Sequence, residues 1–271
     1  MSKKKIIFKD KYGPWALIAG ASDGLGEAFA ISLAEKGLNL VLVARRLKLL
    51  DVLSKNLKKN YNVDVKILQL DLSSSEMLAK IEEITDKVHV GLLVYVASMS
   101  TIGPFLNQDI EDHLKIINVN CRGPSLLSHH FGRKMIKNGK GGIILMSSLS
   151  GLQGSPMVTH YAASKAYNIV LAEGLWGELK PHGIDVLASI AGQIETPQTD
   201  SRNPDYDSFK PHLMTSEAIV KETLKTLGKK VSFIPGRANR RNIFLLQHLL
   251  PRKKSVKIVG NSTKKMYHIQ D

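Results

Sequence analysis

The sequence has little that would cross-link the chain or carry it through a membrane. It contains one cysteine, Cys121, in 271 residues, so no intrachain disulfide can form, which fits a reducing compartment. No apolar run approaches the roughly 20 residues of a transmembrane helix. Residues 1–12 are basic and polar apart from Ile6-Ile7-Phe8, too short an apolar core for a secretory signal. We therefore expect a cytoplasmic protein.

Acidic residues are scarce toward the C-terminus. The net charge is +14, and eleven Lys or Arg residues lie between Lys229 and Lys265 without an Asp or Glu. Such a block binds nucleic acid, anionic lipid or an acidic ligand, or is simply a solvated basic face. No nucleic-acid motif or interleaved aromatics accompany it, so we expect no nucleic-acid partner. The leucines at 245, 246, 249 and 250, ahead of Arg252-Lys253-Lys254, suit either a weak membrane-surface contact or cover for a neighbouring subunit.

Metal-ligand spacing is also missing. The chain has nine histidines, but none is spaced as metal ligands usually are. The adjacent pair His129-His130 points to different sides of a helix. We expect no metal site.

Apolar runs alternate with helical patterns along most of the chain. The runs interpreted as strands cover 15–19, 38–44, 63–70, 88–97, 141–146 and 184–190, with a short seventh at 231–234. The helical patterns cover 27–36, 47–59, 110–137, 159–180, 216–227 and 242–250. This alternation predicts an α/β fold, a doubly wound parallel sheet of about seven strands with helices on both faces. We expect one domain over 12–235 and a basic helical C-terminal extension over 236–271.

Polar and glycine-rich segments follow the predicted strands. Ligands of doubly wound sheets bind at the carboxyl ends of the strands. The first such segment, 20–26, has glycines at Gly20, Gly24 and Gly26 between a strand and a helix. This context suits a pyrophosphate, because glycine lets the backbone approach and the helix supplies amide donors. The long polar stretch 193–215 is interpreted as a substrate loop.

Arg45-Arg46 ends the second predicted strand, where dinucleotide folds face the adenosine ribose. An acidic residue there binds the 2′-hydroxyl, whereas arginine favours a 2′-phosphate. The sequence has no acid at this point, which favours NADP over NAD. The alternative is that both arginines merely open the next helix.

Tyr161 and Lys165 are four residues apart and share one face of a predicted helix. A lysine ammonium beside a phenol lowers the tyrosine pKa, and such a tyrosine can exchange a proton with a substrate oxygen near neutral pH. Taken alone, the pair is better explained as an ordinary pair on a helix surface.

Together and in this order, these motifs resemble those of short-chain dehydrogenases/reductases over residues 12–235. The resemblance implies a Rossmann-like fold, hydride transfer between NADP(H) and a carbonyl or secondary alcohol, and a homodimer or homotetramer paired through the helices at 110–137 and 159–180. It implies a catalytic tetrad of Asn120, Ser148, Tyr161 and Lys165. The cofactor contacts that it implies are Gly20, Ser22, Asp23, Gly24, Leu25, Gly26, Arg45, Arg46, Asp71, Leu72, Ala97, Tyr161, Lys165, Gly192, Ile194 and Thr196.

The sequence departs from the family pattern beside the cofactor. Val96 and Ser98 stand where the family has asparagine and glycine, Ala19 replaces a threonine, and Ala191 replaces a proline. Losing the polar groups at Ala19 and Val96 together leaves no buried partner unpaired. Apolar residues at Met99, Phe105, Leu152, Met157 and Met214 suggest an apolar substrate, acyl or steroid-like. The competing hypotheses are a non-catalytic NADP-binding sensor or scaffold, and a membrane-surface protein acting through its basic end.

Overall fold

The centre of the molecule is a seven-stranded sheet in which all neighbouring strands are parallel. The computed structural model describes residues 8–194 and 212–269. The strand order is β3-β2-β1-β4-β5-β6-β7, with β1 (Trp15–Ala19), β2 (Asn39–Ala44), β3 (Val65–Gln69), β4 (Val90–Tyr95), β5 (Gly141–Ser148), β6 (Ile184–Ala191) and β7 (Ser232–Phe233). The order reverses between β1 and β4, where doubly wound folds hold their ligands. The Rossmann-like fold is confirmed.

The central strands are apolar on both faces because helices cover both. β4 is buried at every position, and β1 at all but its first. Alternate residues of one strand therefore enter different cores. In β1, Ile18 belongs to the core under the first helices, and Leu17 to the core on the opposite face. The near-continuous apolar runs follow from this two-sided burial.

Ten helices flank the sheet in the described parts of the chain. They are α1 (Phe8–Tyr12), α2 (Gly24–Ala34), α3 (Leu47–Tyr61), α4 (Met77–Thr85), α5 (Ile110–Ile117), α6 (Gly123–Asn138), α7 (Thr159–Leu179), α8 (Ser216–Thr226), α9 (Arg237–His248) and α10 (Arg252–Met266). α2 starts three residues earlier than expected, and α9 five residues earlier. None of the described helices is both long and apolar enough to cross a membrane.

The stretch 110–137, expected as one continuous helical pattern, is interrupted. Between α5 and α6 the backbone widens into a π-turn, Asn118–Arg122. Such turns insert an extra residue into the helical ladder and are frequent at functional sites. The 3.6-residue apolar pattern continues on both sides, so periodicity does not reveal the break.

The basic extension packs on the segment that follows β5. Arg252 Nη1 and Gln247 Nε2 both donate to the carbonyl oxygen of Leu152, at 3.1 and 3.3 Å. In α10, a Cβ on Gly260 would lie 2.9 Å from Pro156 Cγ, so the helix touches this segment closely. The extension is helical, as expected.

Candidate active site

The glycine turn after β1 is built on close backbone contacts. Gly20 has φ +96°, and a Cβ there would lie 2.6 Å from the amide nitrogen of Ala97. A Cβ on Gly26 would meet the carbonyl oxygen of Gly20 at 1.9 Å. Neither position tolerates a side chain, so the turn stays open to a ligand at the start of α2, whose amides favour phosphate.

Backbone hydrogen bonds tie this turn to β4. The amides of Val96 and Ala97 donate to the carbonyl oxygen of Ala19, at 2.9 and 2.8 Å. The connection therefore holds without polar side chains at Ala19 and Val96, two of the positions where the sequence departs from the family pattern.

A basic corner lies beside the glycine turn. Arg46 Nη2 donates to Ser22 Oγ at 2.8 Å and pairs with the carboxylate of Asp23. Arg45 is exposed and close to Asp71: burial acts to raise the pKa of that carboxyl, but hydrogen bonds from Ser73 and the charge of Arg45 hold it below its ordinary value. Two guanidinium groups and a hydroxyl suit a phosphate better than a ribose diol.

The remaining predicted cofactor residues fall into three groups. Gly192 follows β6 and packs closely against Asn239, since a Cβ on Gly192 would lie 2.7 Å from Asn239 Nδ2. Ile194 forms an isolated parallel β-bridge with Met214. The side chain of Leu72 is buried in the core, so only its backbone is available to a ligand. Thr196 lies outside the described residues.

Hydrogen bonds of Lys165 link α7 to β5. Its Nζ donates to the carbonyl oxygen of Met146 at 3.1 Å and lies 5.6 Å from the centroid of the Tyr161 ring. Its own carbonyl oxygen accepts from Ser147 Oγ at 2.7 Å. The helix face that carries Tyr161 and Lys165 is thus held against the carboxyl end of β5, where Ser148 lies.

The Lys165 ammonium is buried. The residue is 3% exposed, and within residues 8–194 and 212–269 no carboxylate forms an ion pair with it. Burial lowers its pKa from 10.5 to about 8, although Cys121 nearby acts in the opposite direction. An uncompensated positive charge beside a phenol favours the phenolate.

Asn120 sits in the π-turn and is completely buried. Its Nδ2 donates to the carbonyl oxygen of Met99 and to Ser164 Oγ, and its Oδ1 accepts from the Met99 amide, each at 2.8 Å. Ser164 in turn donates to the carbonyl oxygen of Tyr161 at 2.7 Å. The side chain thus joins the segment after β4 to the first turns of α7.

Ser148 ends β5 and is half-buried. Its Oγ accepts a hydrogen bond from the Ser150 amide at 3.3 Å, which leaves its hydroxyl proton available to a further acceptor. The structure therefore brings the four predicted tetrad residues from three elements to one end of the sheet.

Sequence reasoning missed three polar residues here. Ser164 and Asn168 lie three and seven positions after Tyr161, on the same helical face, and Ser147 precedes Ser148. The i, i+3, i+4, i+7 spacing predicts that Ser164 and Asn168 share a helical face with Tyr161 and Lys165, but not what that face contacts. No group of three or more His, Cys, Asp or Glu residues with metal-binding geometry occurs in the described part of the chain.

Two histidines meet beside Tyr161. His160 Nδ1 and His113 Nδ1 are 3.0 Å apart, and Phe105 stacks on His113 with 4.2 Å between ring centroids. Because His113 Nε2 contacts the carbonyl oxygen of Phe105 at 3.2 Å, that nitrogen carries the proton and His160 donates to His113. Burial and the neighbouring His113 lower the pKa of His160.

Comparison with known proteins agrees with this geometry. The family model for short chain dehydrogenases matches residues 14–207. A 7beta-hydroxysteroid dehydrogenase of Clostridium sardiniense is 31% identical over 233 residues, 86% of this chain and 89% of that protein.

Two solved structures resemble the whole arrangement. A 7beta-hydroxysteroid dehydrogenase structure superposes with a TM-score of 0.89 at 29% identity, covering 94% of this chain and 99% of that one. A Sphingobium yanoikuyae short-chain dehydrogenase in complex with NADPH gives 0.76 at 29% identity, covering 85% and 91%.

Proposed function

The chain belongs to the short-chain dehydrogenase family, and on that premise we propose that it interconverts a ketone and a secondary alcohol with NADP(H). Its oxidoreductase class, acting on hydroxyl and carbonyl groups, follows from the family. The proposal rests chiefly on the meeting of Ser148, Tyr161 and Lys165 at the carboxyl end of β5, beside the open glycine turn. NADPH held by the glycine turn and the basic corner would supply the hydride.

The chain's own residues handle the substrate oxygen and its proton. Tyr161 gives its phenolic proton to the carbonyl oxygen, and Ser148 donates a hydrogen bond to the same atom. Lys165 stabilises the phenolate that remains, because its charge is buried and no carboxylate within residues 8–194 and 212–269 forms an ion pair with it. Asn120 holds the π-turn beside this pair, on the route by which the proton is resupplied.

Preference for NADP is supported by the basic corner. Arg46 already binds the hydroxyl and the carboxylate of the glycine turn, so its guanidinium lies where the adenosine end of a dinucleotide enters, with Arg45 exposed beside it. A 2′-phosphate would take over donors that Asp23 now uses.

An apolar substrate is supported by the half-buried side chains of Met99 and Leu152 near the tetrad. The steroid dehydrogenase relatives are named for the 7beta-hydroxyl group of a steroid. We therefore propose a bulky apolar ketone, steroid-like or acyl, as the substrate class.

The decisive experiment is turnover of a ketone panel with NADPH, followed by absorbance at 340 nm. Steroid ketones and long-chain 3-oxoacyl thioesters form the panel. We expect turnover that Tyr161→Phe reduces at least a hundredfold while the NADPH dissociation constant stays within threefold. NADPH binding with no turnover across the panel would instead favour the non-catalytic sensor. Full activity of Tyr161→Phe would refute the mechanism.

Self-association is proposed through the outer faces of α5 and α7. Their exposed apolar side chains are Ile110, Leu114, Ile117, Tyr167 and Val170. We propose a homodimer or homotetramer that buries this strip. Val170→Asp should lower the sedimentation coefficient, whereas Leu106→Asp, at an exposed position in the turn before α5, should not. A monomeric wild-type protein at micromolar concentration would exclude the proposal.

Weak contact with an anionic membrane is a second proposal, carried by α9. Its exposed face bears Arg237, Arg241, Phe244 and Leu245, a basic and apolar combination suited to a bilayer interface. A second copy of this chain fits less well, since it would place two basic faces together.

Co-sedimentation with vesicles of mixed anionic and neutral lipid tests this contact. We expect binding at low salt, weakening at high salt, and loss on Phe244→Ser. Leu106→Ser, at an exposed apolar position outside the proposed dimer strip, is the matched control. No sedimentation at low salt, or a change of oligomeric state on Phe244→Ser, would refute it.

A further inference from the structure

One buried side chain on α7 has no part in the mechanism above. Asn168 lies three residues after Lys165 on the same helical face and is 1% exposed. Its Nδ2 donates to the carbonyl oxygen of Asn120 at 3.0 Å. Its Oδ1 is buried and has no hydrogen-bond partner among the described residues.

The π-turn explains why such a donor is needed. In a wide turn the hydrogen-bond ladder shifts from i+4 to i+5, which displaces carbonyls from their regular partners. Side chains from other elements reach two successive carbonyls here. Tyr95 donates its hydroxyl proton to the carbonyl oxygen of Val119 at 2.6 Å, and Asn168 reaches that of Asn120.

The same turn lies against Lys165. Asn120 donates to Ser164, the immediate neighbour of Lys165. Cys121, the next residue in the turn, and Lys165 each act on the other's pKa. A shift of the turn therefore changes the surroundings of the Lys165 ammonium.

We propose, resting on the function above, that Asn168 is a positioning residue for the hydride-transfer reaction. It does not touch the reacting atoms. It fixes the carbonyl of Asn120, and with it the π-turn, on the path by which Lys165 and Tyr161 recover a proton. Its buried Oδ1 accepts from an internal water, because an amide oxygen left without a donor is costly.

Two substitutions separate positioning from packing. Asn168→Leu is close in size and removes both polar atoms. We expect it to lower kcat at least tenfold, with KM and the NADPH dissociation constant within twofold. Asn168→Asp loses the donor while its carboxylate is ionised and regains one when protonated. Its kcat relative to the wild type should therefore rise from pH 8 to pH 6, whereas that of Asn168→Leu should not.

A measurement of apoenzyme stability, made without cofactor, complements the kinetic assays. Urea unfolding of the apoenzyme from pH 7 to pH 10 reports the ionisation of Lys165. Asn168→Leu should change the pH dependence of stability in this window. Ser128→Ala is the matched control, because Ser128 is also buried on a neighbouring helix with an unpartnered hydroxyl, and it should leave that dependence unchanged.

Specific results would overturn the proposal. An Asn168→Leu variant with the kcat and the pH profile of the wild type would refute the positioning role. A pH-independent loss of stability, together with a lower kcat, a higher KM and weaker NADPH binding, would reduce Asn168 to a packing residue. A wild-type chain that turns over no ketone would refute the function instead, and the apoenzyme measurement would still decide whether Asn168 controls the surroundings of Lys165.

Discussion

Replacing Lys165 by methionine should make the apoenzyme more stable while abolishing turnover. Lys165 is 3% exposed, and its ammonium donates to a neutral acceptor, the carbonyl oxygen of Met146. Burial of a charge without a counter-ion opposes folding. Methionine has similar length and no charge, so Lys165→Met removes this cost along with the chemistry.

The size of the effect follows from the Lys165 pKa. A pKa lowered from 10.5 to about 8 corresponds to about 3 kcal/mol against the charged form in the folded state. Losing the hydrogen bond to Met146 costs about 1 kcal/mol. We therefore expect Lys165→Met to gain about 1–3 kcal/mol at pH 7, or several degrees in Tm.

The gain must depend on pH with a definite sign. The folded pKa lies below the unfolded one, so from about pH 8 to 10.5 the folded wild type sheds its proton while the unfolded chain keeps it. Wild-type stability relative to Lys165→Met therefore rises through that window. The advantage of the variant is greatest below pH 8 and shrinks by more than half at pH 9.5.

Urea unfolding without cofactor at pH 7, 8.5 and 9.5 measures this difference. Lys115→Met, at an exposed lysine of α5, is the control and should show no pH-dependent gain. A Lys165→Met variant less stable than the wild type at pH 7, or a difference constant across the three pH values, would refute the reasoning.

Three further predictions concern the cofactor corner and the two ends of the sheet. Arg46→Ala should lower the ratio of NADPH to NADH affinity at least tenfold, measured by fluorescence titration; an unchanged ratio would exclude Arg46 from 2′-phosphate binding. Asp185→Asn should cost about 3 kcal/mol in urea unfolding, because this buried carboxylate at the amino end of β6 binds Lys180 at 3.0 Å; kcat should stay within threefold, and a large loss of kcat would place Asp185 in the reaction. His160→Asn should reduce the loss of stability below pH 6.5, since the lowered pKa of His160 makes its protonation oppose folding; an unchanged loss of stability at acid pH would assign that loss to other groups.

Much of the fold was predictable because burial on both faces leaves a strong signal. β1, β2 and β4 are nearly continuous apolar runs, and their alternation with helices determined the sheet. The carboxyl-end rule then brought the glycine turn, Ser148 and Gly192 to one edge before any coordinates were used. α10 was expected only as part of a helical extension, because two of its three buried residues, Ser255 and Gly260, are small and the helix carries little apolar periodicity.

The π-turn and its partners could not be predicted from the same signals. Serine and asparagine on a helix have many roles, so Ser164 and Asn168 acquire meaning only once their acceptors are known. Those acceptors belong to a turn that departs from 3.6-residue periodicity, and its contact with α7 spans 48 residues between Asn120 and Asn168. Local pattern carries no information about a pairing of that separation.

The burial of Lys165 explains why its surroundings are so closely bonded. A lysine that must stay charged beside Tyr161 cannot be given a carboxylate, because an ion pair would offset the positive charge that favours the phenolate. It therefore needs neutral hydrogen-bond acceptors and rigid surroundings. Ser147 donates to the backbone carbonyl of Lys165, and the ammonium donates to the carbonyl of Met146. The hydrogen bonds of the Asn120 and Asn168 side chains fix the neighbouring π-turn. On this reasoning, substitutions that remove these surrounding hydrogen bonds should raise the Lys165 pKa toward its ordinary value and also slow catalysis. They should do so even though none of them removes a group that touches the substrate.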